Sequence, residues 1–185
     1  MRTGLYAAAC LILTLGCAGR DTRPAGPTPR RLYLARHAQA ATDGVSADRP
    51  LSARGVADAR AMAELLRPLH LRLGVVWHSG LARAEQTADI LARVLSTGKG
   101  VTGRRGLLPN DPVVPVAAEI VAAKESLMIV GHRPFLRRLI ALLIGGEPSA
   151  DPFVLSPGTV LCLEPDDAGL WRVLWVASPD LLPQR

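Results

Sequence analysis

From Arg31 onward, short apolar runs alternate with stretches of helical periodicity, and this alternation narrows the choice of folds more than any other feature of the chain. "RLYLA" (Arg31–Ala35), "LGVVWH" (Leu73–His78) and "SLMIV" (Ser126–Val130) have the length and composition of buried strands. Between the first two, Ser52 is placed to cap a helix in which Val56, Ala59, Ala63 and Leu66 share a face, ending near Pro68. Ser79 is placed to cap a second helix, with Leu81, Ala84, Ala88, Leu91 and Leu95 on one stripe. Pro134 opens a third, running through Ile144 and closed by Gly145 and Gly146. "TVLCLEP" and "WRVLWVA" flank the turn-forming "DDAG" and are predicted as a hairpin or two adjacent strands, with antiparallel pairing open to them. Strand–helix alternation of this kind predicts an α/β fold, a three-layer α/β/α sandwich with a mostly parallel sheet. With 185 residues, 49% of them apolar, the chain can fill one full-sized core. "TGKGVTGRRG" is predicted as a glycine-rich loop; it lacks the earlier glycine and the trailing Ser/Thr of a nucleotide-binding P-loop.

Three of these strands finish in polar residues. The first gives Arg36 and His37, the second Ser79 with Arg83 one helical turn later, and the third His132 in "GHRPF". Ligands of open parallel sheets bind beyond the carboxyl ends of the strands, so groups distant in sequence are expected to meet on one rim. Two helix N-termini, near residues 80 and 134, would add peptide N–H groups and positive dipole ends. Such a pocket suits a compact dianion, with phosphate the leading candidate, since arginine matches its oxygens with paired donors. The +6 charge, from 22 basic and 16 acidic residues, fits the same reading. Scattered arginines, 4% aromatic residues and no helix-turn-helix or zinc-finger pattern argue against nucleic acid. No spacing calls for a metal or a cofactor.

"LARHAQA", "SGLARAEQTA" and "VGHRPF", in that order and each after its own strand, resemble the histidine phosphatase superfamily, with its phosphoglycerate mutase-like fold. "DRPLSARG" and the compact length look most like its SixA-type phosphohistidine phosphatases, over about residues 31–180. The resemblance implies that His37 attacks phosphorus and forms a phosphohistidine that water then hydrolyses, with Arg36, Arg83 and His132 holding the phosphoryl oxygens. The chemistry asks for these residue types independently. Neighbouring cations keep an imidazole neutral and nucleophilic near pH 7, and fixed guanidiniums with a charged His132 stabilise the equatorial oxygens of the transition state. Ala38 replaces the family's usual glycine, where its methyl is expected to bear on the pocket, and Gln39 stands where an acidic residue is common.

The acid that protonates the leaving group is less plain. Larger superfamily members carry a glutamate in an insertion after the second helix; here "GLLPNDPVVPVAAEI" offers Asp111 as the best-placed carboxylate and Glu119 as a second, while Glu125 precedes a strand and belongs at the opposite edge. Ser79 is read equally as a helix cap and as a phosphate contact. Asp43 and Asp48 are expected to order a loop, Asp166 and Asp167 to form a turn, and Glu85 and Gln86 to support the second helix, with His70 and His78 incidental. A weak or absent acid favours phosphohistidine or acyl phosphates. It also leaves open a second class of function, a non-catalytic protein of the same fold that binds a phosphorylated ligand. A mutase is disfavoured, for want of insertions that would enclose its substrate.

Ahead of this domain (residues 31–185), "MRTGLYAAACLILTLGCAG" pairs a basic start with an apolar run, Leu5 to Leu15, too short to span a bilayer but suited to a signal peptide. "LTLGC" resembles the lipobox of bacterial lipoproteins, with Thr14 where leucine is usual, and implies cleavage after residue 16 and lipid on Cys17. Ala18 in place of aspartate implies the outer membrane by the family's sorting pattern. Residues 17–30, with Pro24, Pro27 and Pro29, read as a tether that holds the domain off the periplasmic side of that membrane. Cys10 would leave with the signal, and Cys162 lies in an apolar strand as a packed side chain. The expected partners are a small phosphorylated substrate or a phosphoprotein, and the membrane through Cys17.

Overall fold

The computed structural model describes residues 29–42, 48–145 and 154–182. The signal segment, Cys17, most of the tether, Asp43 and Gly146 lie outside the described residues. Strands β1 (Leu32–Arg36), β2 (Arg72–Leu73), β3 (Val75–His78), β4 (Ser96–Thr97), β5 (Val101–Gly103), β6 (Leu127–Gly131), β7 (Val160–Pro165) and β8 (Trp171–Ala177) alternate with helices α1 (Ala53–Leu66), α2 (Ala82–Ala92), α3 (Val114–Ala122) and α4 (Phe135–Gly145). The main sheet has the order β5-β3-β6-β1-β7-β8. Its first four strands run parallel, and β7 and β8 pair antiparallel to close the other edge. The sandwich expected from the sequence is present, with the late hairpin antiparallel.

Alternation along the central strands builds the two outer layers. Leu32 and Leu34 of β1, with Leu127 and Ile129 of β6, face α3 and α4 and pack on Val116, Ile120, Leu136 and Leu139. Tyr33 and Ala35, with Met128 and Val130, face the other way onto Met62, Leu66, Ala88 and Leu91 of α1 and α2. Both faces of β1 and β6 are therefore apolar, which is why these strands read as continuous hydrophobic runs. Cys162 is buried in this second layer and its thiol is pushed up to about 11, chiefly by burial, as suits a packed side chain.

Ser52 caps α1 as expected, its Oγ accepting from the Gly55 N–H at 3.0 Å. Four features differ from expectation. The run Leu73–His78 is split at Gly74, where the chain passes so close to Glu125 that a Cβ would sit 2.9 Å from that residue's own Cβ; Leu73 joins β2, which pairs with β4 apart from the main sheet. The glycine-rich segment contains the last residue of β4 and all of β5, short polar strands that exist because β2 and β3 offer free edges, a cause invisible in their own composition. α3 was not foreseen, because the valines of "VPVAAEIVA" mask its helical period. Arg30, assigned to the tether, is docked on the domain: its Nη1 donates to the carbonyls of Ile120, Val121 and Ala123 at the end of α3, and its guanidinium lies 5.0 Å from the Trp171 ring centroid.

Candidate active site

Strand register brings the polar residues together. Arg36 pairs with Gly131 across β1 and β6, so His37 and His132, each one residue further on, leave adjacent strands side by side. His78 pairs with Val130 across β3 and β6, which sets Ser79 next to the same rim. The His37 and His132 ring centroids are 4.9 Å apart at an interplanar angle of 51°. Backbone bonds fix both strand exits: His37 N–H donates to the Gly131 carbonyl at 3.0 Å, and Arg36 N–H to that of Thr159 at 2.9 Å.

Each imidazole is oriented by one partner. His37 Nδ1 lies 2.7 Å from the Ala38 carbonyl oxygen, which can only accept, so Nδ1 carries the proton and Nε2 keeps its lone pair. Burial, together with the Arg83, Arg36 and Arg49 cations, depresses this ring to about 4, leaving it neutral and nucleophilic near pH 7. His132 Nε2 is 2.6 Å from Ser79 Oγ, and its buried Nδ1 has no partner among the described residues. Burial first, then the neighbouring His37 ring and the Arg83 and Arg36 charges, push His132 down to about 3. His132 is thus neutral near pH 7, and the charged form expected in the transition state requires an anion between the rings to draw a proton onto it.

The cations converge on these rings. Arg36 donates from Nη1 to the Leu155 carbonyl at 2.6 Å, while its buried Nε is unbonded among the described residues. Burial and the nearby Arg133 lower its pKa. Arg83, half-buried in the first turn of α2, is lowered by burial and by Arg49, with Asp48 acting in the opposite sense. Thr87 ties this helix to the loop that carries His37, donating from Oγ1 to the Arg83 carbonyl at 2.7 Å and accepting from Ala38 N–H at 3.1 Å. Arg49 is the residue missed earlier: its charge bears on both His37 and Arg83. The signal was present in "DRPLSARG", which carried the resemblance without a role being drawn for its arginine.

Several sequence expectations are corrected. Ser79 does not cap α2. Gly80, at φ 85°, turns the chain between Ser79 and the helix, whose first residue, Ala82, donates instead to Asp48 Oδ1 at 2.5 Å. That N-terminus near residue 80 is therefore already occupied by a carboxylate and is not a free anion site. The Ala38 methyl does not bear on the pocket, because it packs inward with Leu51 and Ala59. Glu119 is engaged in an ion pair with Arg104. Glu125 faces Lys99 beside Gly74, at the opposite edge as expected. Gln86 braces the loop rather than the helix, its Oε1 accepting from Leu51 N–H at 2.8 Å. His78 is buried and its Nδ1 accepts from Gly80 N–H at 3.3 Å, so it shapes the turn after Ser79 rather than being incidental. Asp111 borders a cleft next to Ser79, with Oδ2 accepting from Leu108 N–H at 2.8 Å, so one of its oxygens serves the turn.

A family model described as "Histidine phosphatase superfamily (branch 1)" matches residues 32–107, the stretch that includes Arg36, His37, Arg49, Ser79 and Arg83. The phosphohistidine phosphatase SixA of Escherichia coli (strain K12) is 27% identical over 154 residues, covering 80% of this chain and 94% of that protein. Among solved structures, the protein histidine phosphatase SixA complexed with tungstate superposes with a TM-score of 0.72 at 27% identity, over 81% of this chain and 97% of that one. A SixA-type protein from Nakamurella multipartitia gives 0.68 at 26% identity, over 85% of this chain and 99% of its own.

Proposed function

From the premise that this chain carries a histidine phosphatase superfamily domain and is a SixA homologue, we propose that it is a metal-independent phosphatase that hydrolyses a phosphomonoester or phosphohistidine through His37. The Nε2 lone pair of neutral His37 attacks phosphorus, the bond from phosphorus to the leaving group breaks, and the departing atom takes a proton. Water then attacks phosphorus, the P–N bond breaks, and inorganic phosphate leaves while Nε2 recovers its lone pair. Arg36, Arg83 and Arg49 hold the equatorial oxygens, and His132 donates to one of them after gaining a proton, with Ser79 orienting its ring. The relative trapped with tungstate, a tetrahedral oxyanion, is consistent with such a pocket.

One observation carries the reading: His37, its Nδ1 committed to a carbonyl, presents Nε2 beside His132 at 4.9 Å between rings, within the field of Arg36, Arg49 and Arg83. The test is incubation with labelled phosphomonoester followed by quenching in alkaline detergent, with acid treatment of a parallel sample. An alkali-stable, acid-labile phosphoenzyme that is absent in His37→Ala supports the proposal; wild-type-like turnover in His37→Ala refutes it. Phosphate binding without turnover in the wild type would leave the non-catalytic binder of the same fold.

We further propose that the lipobox-like "LTLGC" directs export and lipidation of Cys17, which would place the substrate on the periplasmic side of a bacterial membrane. Metabolic labelling with a fatty-acid probe, unchanged in Cys17→Ser, would overturn this.

A further inference from the structure

Beside the phosphoryl pocket lies a cleft of about 540 Å³ that the reaction above does not use. Ser79 borders both spaces, with its hydroxyl on His132 and its residue in the cleft wall beside Gly80, Gly103, Arg105, Leu108 and Asp111. A substrate whose phosphoryl group sits against His37 and His132 therefore has this cleft as the adjoining room for its leaving group. The volume is that of a small-molecule site rather than of a protein-docking face.

Of the two arginines that line the cleft, one has no ion-pair partner among the described residues. Arg104, its other arginine, is already committed: its guanidinium lies 4.9 Å from the Trp77 ring centroid, pairs with Glu119, and donates to the Arg105 carbonyl at 2.8 Å. These contacts fix the backbone from which Arg105 projects. The Arg105 residue is exposed, and its guanidinium makes no hydrogen bond or ion pair among the described residues. The glycines around it leave the floor free of side chains, and Gly80 and Gly106, at φ 85° and 84°, hold turns that a side chain would strain. Asp111, in the same lining, has Oδ2 engaged by Leu108 N–H, which holds its carboxylate to its own turn rather than to Arg105.

We propose that this cleft is a second anion subsite, read by Arg105, and that the substrate is a small phosphomonoester carrying another acidic group, a carboxylate or a second phosphate, on its leaving group. The inference rests on the phosphoryl pocket proposed above. It differs from that reading in what it demands of Arg105, which has no part in the bond-breaking step.

Calorimetry on the purified full chain separates the two, because it needs no turnover. The probes are methylphosphonate, with one anion, and α,ω-alkane diphosphonates of increasing chain length. At least one diphosphonate is expected to bind about tenfold or more tightly than methylphosphonate. Arg105→Ala should erase that margin and leave methylphosphonate affinity unchanged. A margin that survives in Arg105→Ala, or no margin at any length, overturns the subsite while methylphosphonate binding preserves the phosphoryl pocket. Failure of methylphosphonate itself to bind overturns the pocket and the subsite together.

Discussion

The phosphoryl pocket and the neighbouring cleft share Ser79 but are built by different means. In the pocket, Arg36, His37, Ser79 and His132 lie at strand ends whose positions are set by backbone pairing, Arg36 opposite Gly131 and His78 opposite Val130, and Arg83 joins them from the first turn of α2. Its histidines are buried or nearly so and depressed to about 4 and about 3. In the cleft, Arg105 and Asp111 hang on the connection between β5 and α3, exposed or half-exposed, anchored by local turns. A site hung on sheet register can hold a tetrahedral anion to within a fraction of an ångström, whereas a loop site is free to vary. On the function proposed above, the difference teaches that the chemistry would rest on the framework of sheet and α2, and the choice of leaving group on the loop.

That contrast can be broken most forcefully at Arg83. Arg83→Ala removes a donor from the pocket and should lower kcat by about a hundred- to a thousandfold on any phosphate ester, including p-nitrophenyl phosphate. Steady-state kinetics showing a loss confined to KM, or to one substrate, would assign Arg83 to substrate choice and erase the division.

Gly55 tests whether the pocket depends on helix packing as well as on the sheet. A Cβ there would lie 2.0 Å from the Gln39 carbonyl oxygen, on the loop that carries His37. Gly55→Ala should destabilise the fold by about 1–3 kcal/mol in urea titration and lower kcat by displacing that loop. Unchanged stability would mean that the loop yields freely.

A smaller effect follows from acid. Unfolded histidine titrates near 6.5, above the folded values of about 4 and about 3, so the unfolded state binds more protons as pH falls below 6.5. Stability should be fullest above pH 6.5 and decline as acid approaches pH 4. Sulfate should soften the decline, because an anion between the rings favours their protonated forms. Melting temperatures that do not respond to sulfate at pH 5 would contradict a phosphate-shaped site.

The mildest expectation concerns the cleft. Asp111→Asn keeps an oxygen for Leu108 N–H, so the turn should persist. Turnover of p-nitrophenyl phosphate, whose leaving group needs no proton, should stay within about twofold, while an alkyl phosphate should slow by about tenfold or more if Asp111 supplies the proton. Equal effects on both substrates would make Asp111 a structural residue alone.

How much of this was legible beforehand follows from the kind of force involved. β1 and β6 announce themselves because burial on two faces demands continuous apolar residues, β3 by its short apolar run although one of its faces is only partly buried, and Ser52 announces α1 because an N-cap needs an oxygen. Arg36, His37, Arg83 and His132 stood out because charged groups interrupt those patterns at strand ends. By contrast, β4 and β5 take their existence from a neighbour's free edge, and α3 hides its period behind valines. Ser79 was ambiguous for the same reason: a serine before a helix looks like a cap until Gly80 is seen to turn the chain away.

The sequence by itself determined the layered α/β architecture and the chemical types present at the strand ends, since periodicity and composition are local properties of the chain. Only the tertiary structure decided that His37 Nδ1 meets the Ala38 carbonyl, that Ser79 turns to His132, that Arg49 joins the cations, and that Arg105 lines a cleft with no ion-pair partner among the described residues. The first is a contact between neighbours that the folded backbone orients, and the others depend on distances between residues far apart in sequence. Such distances are set by pairing register and close packing, which no single stretch of the chain encodes.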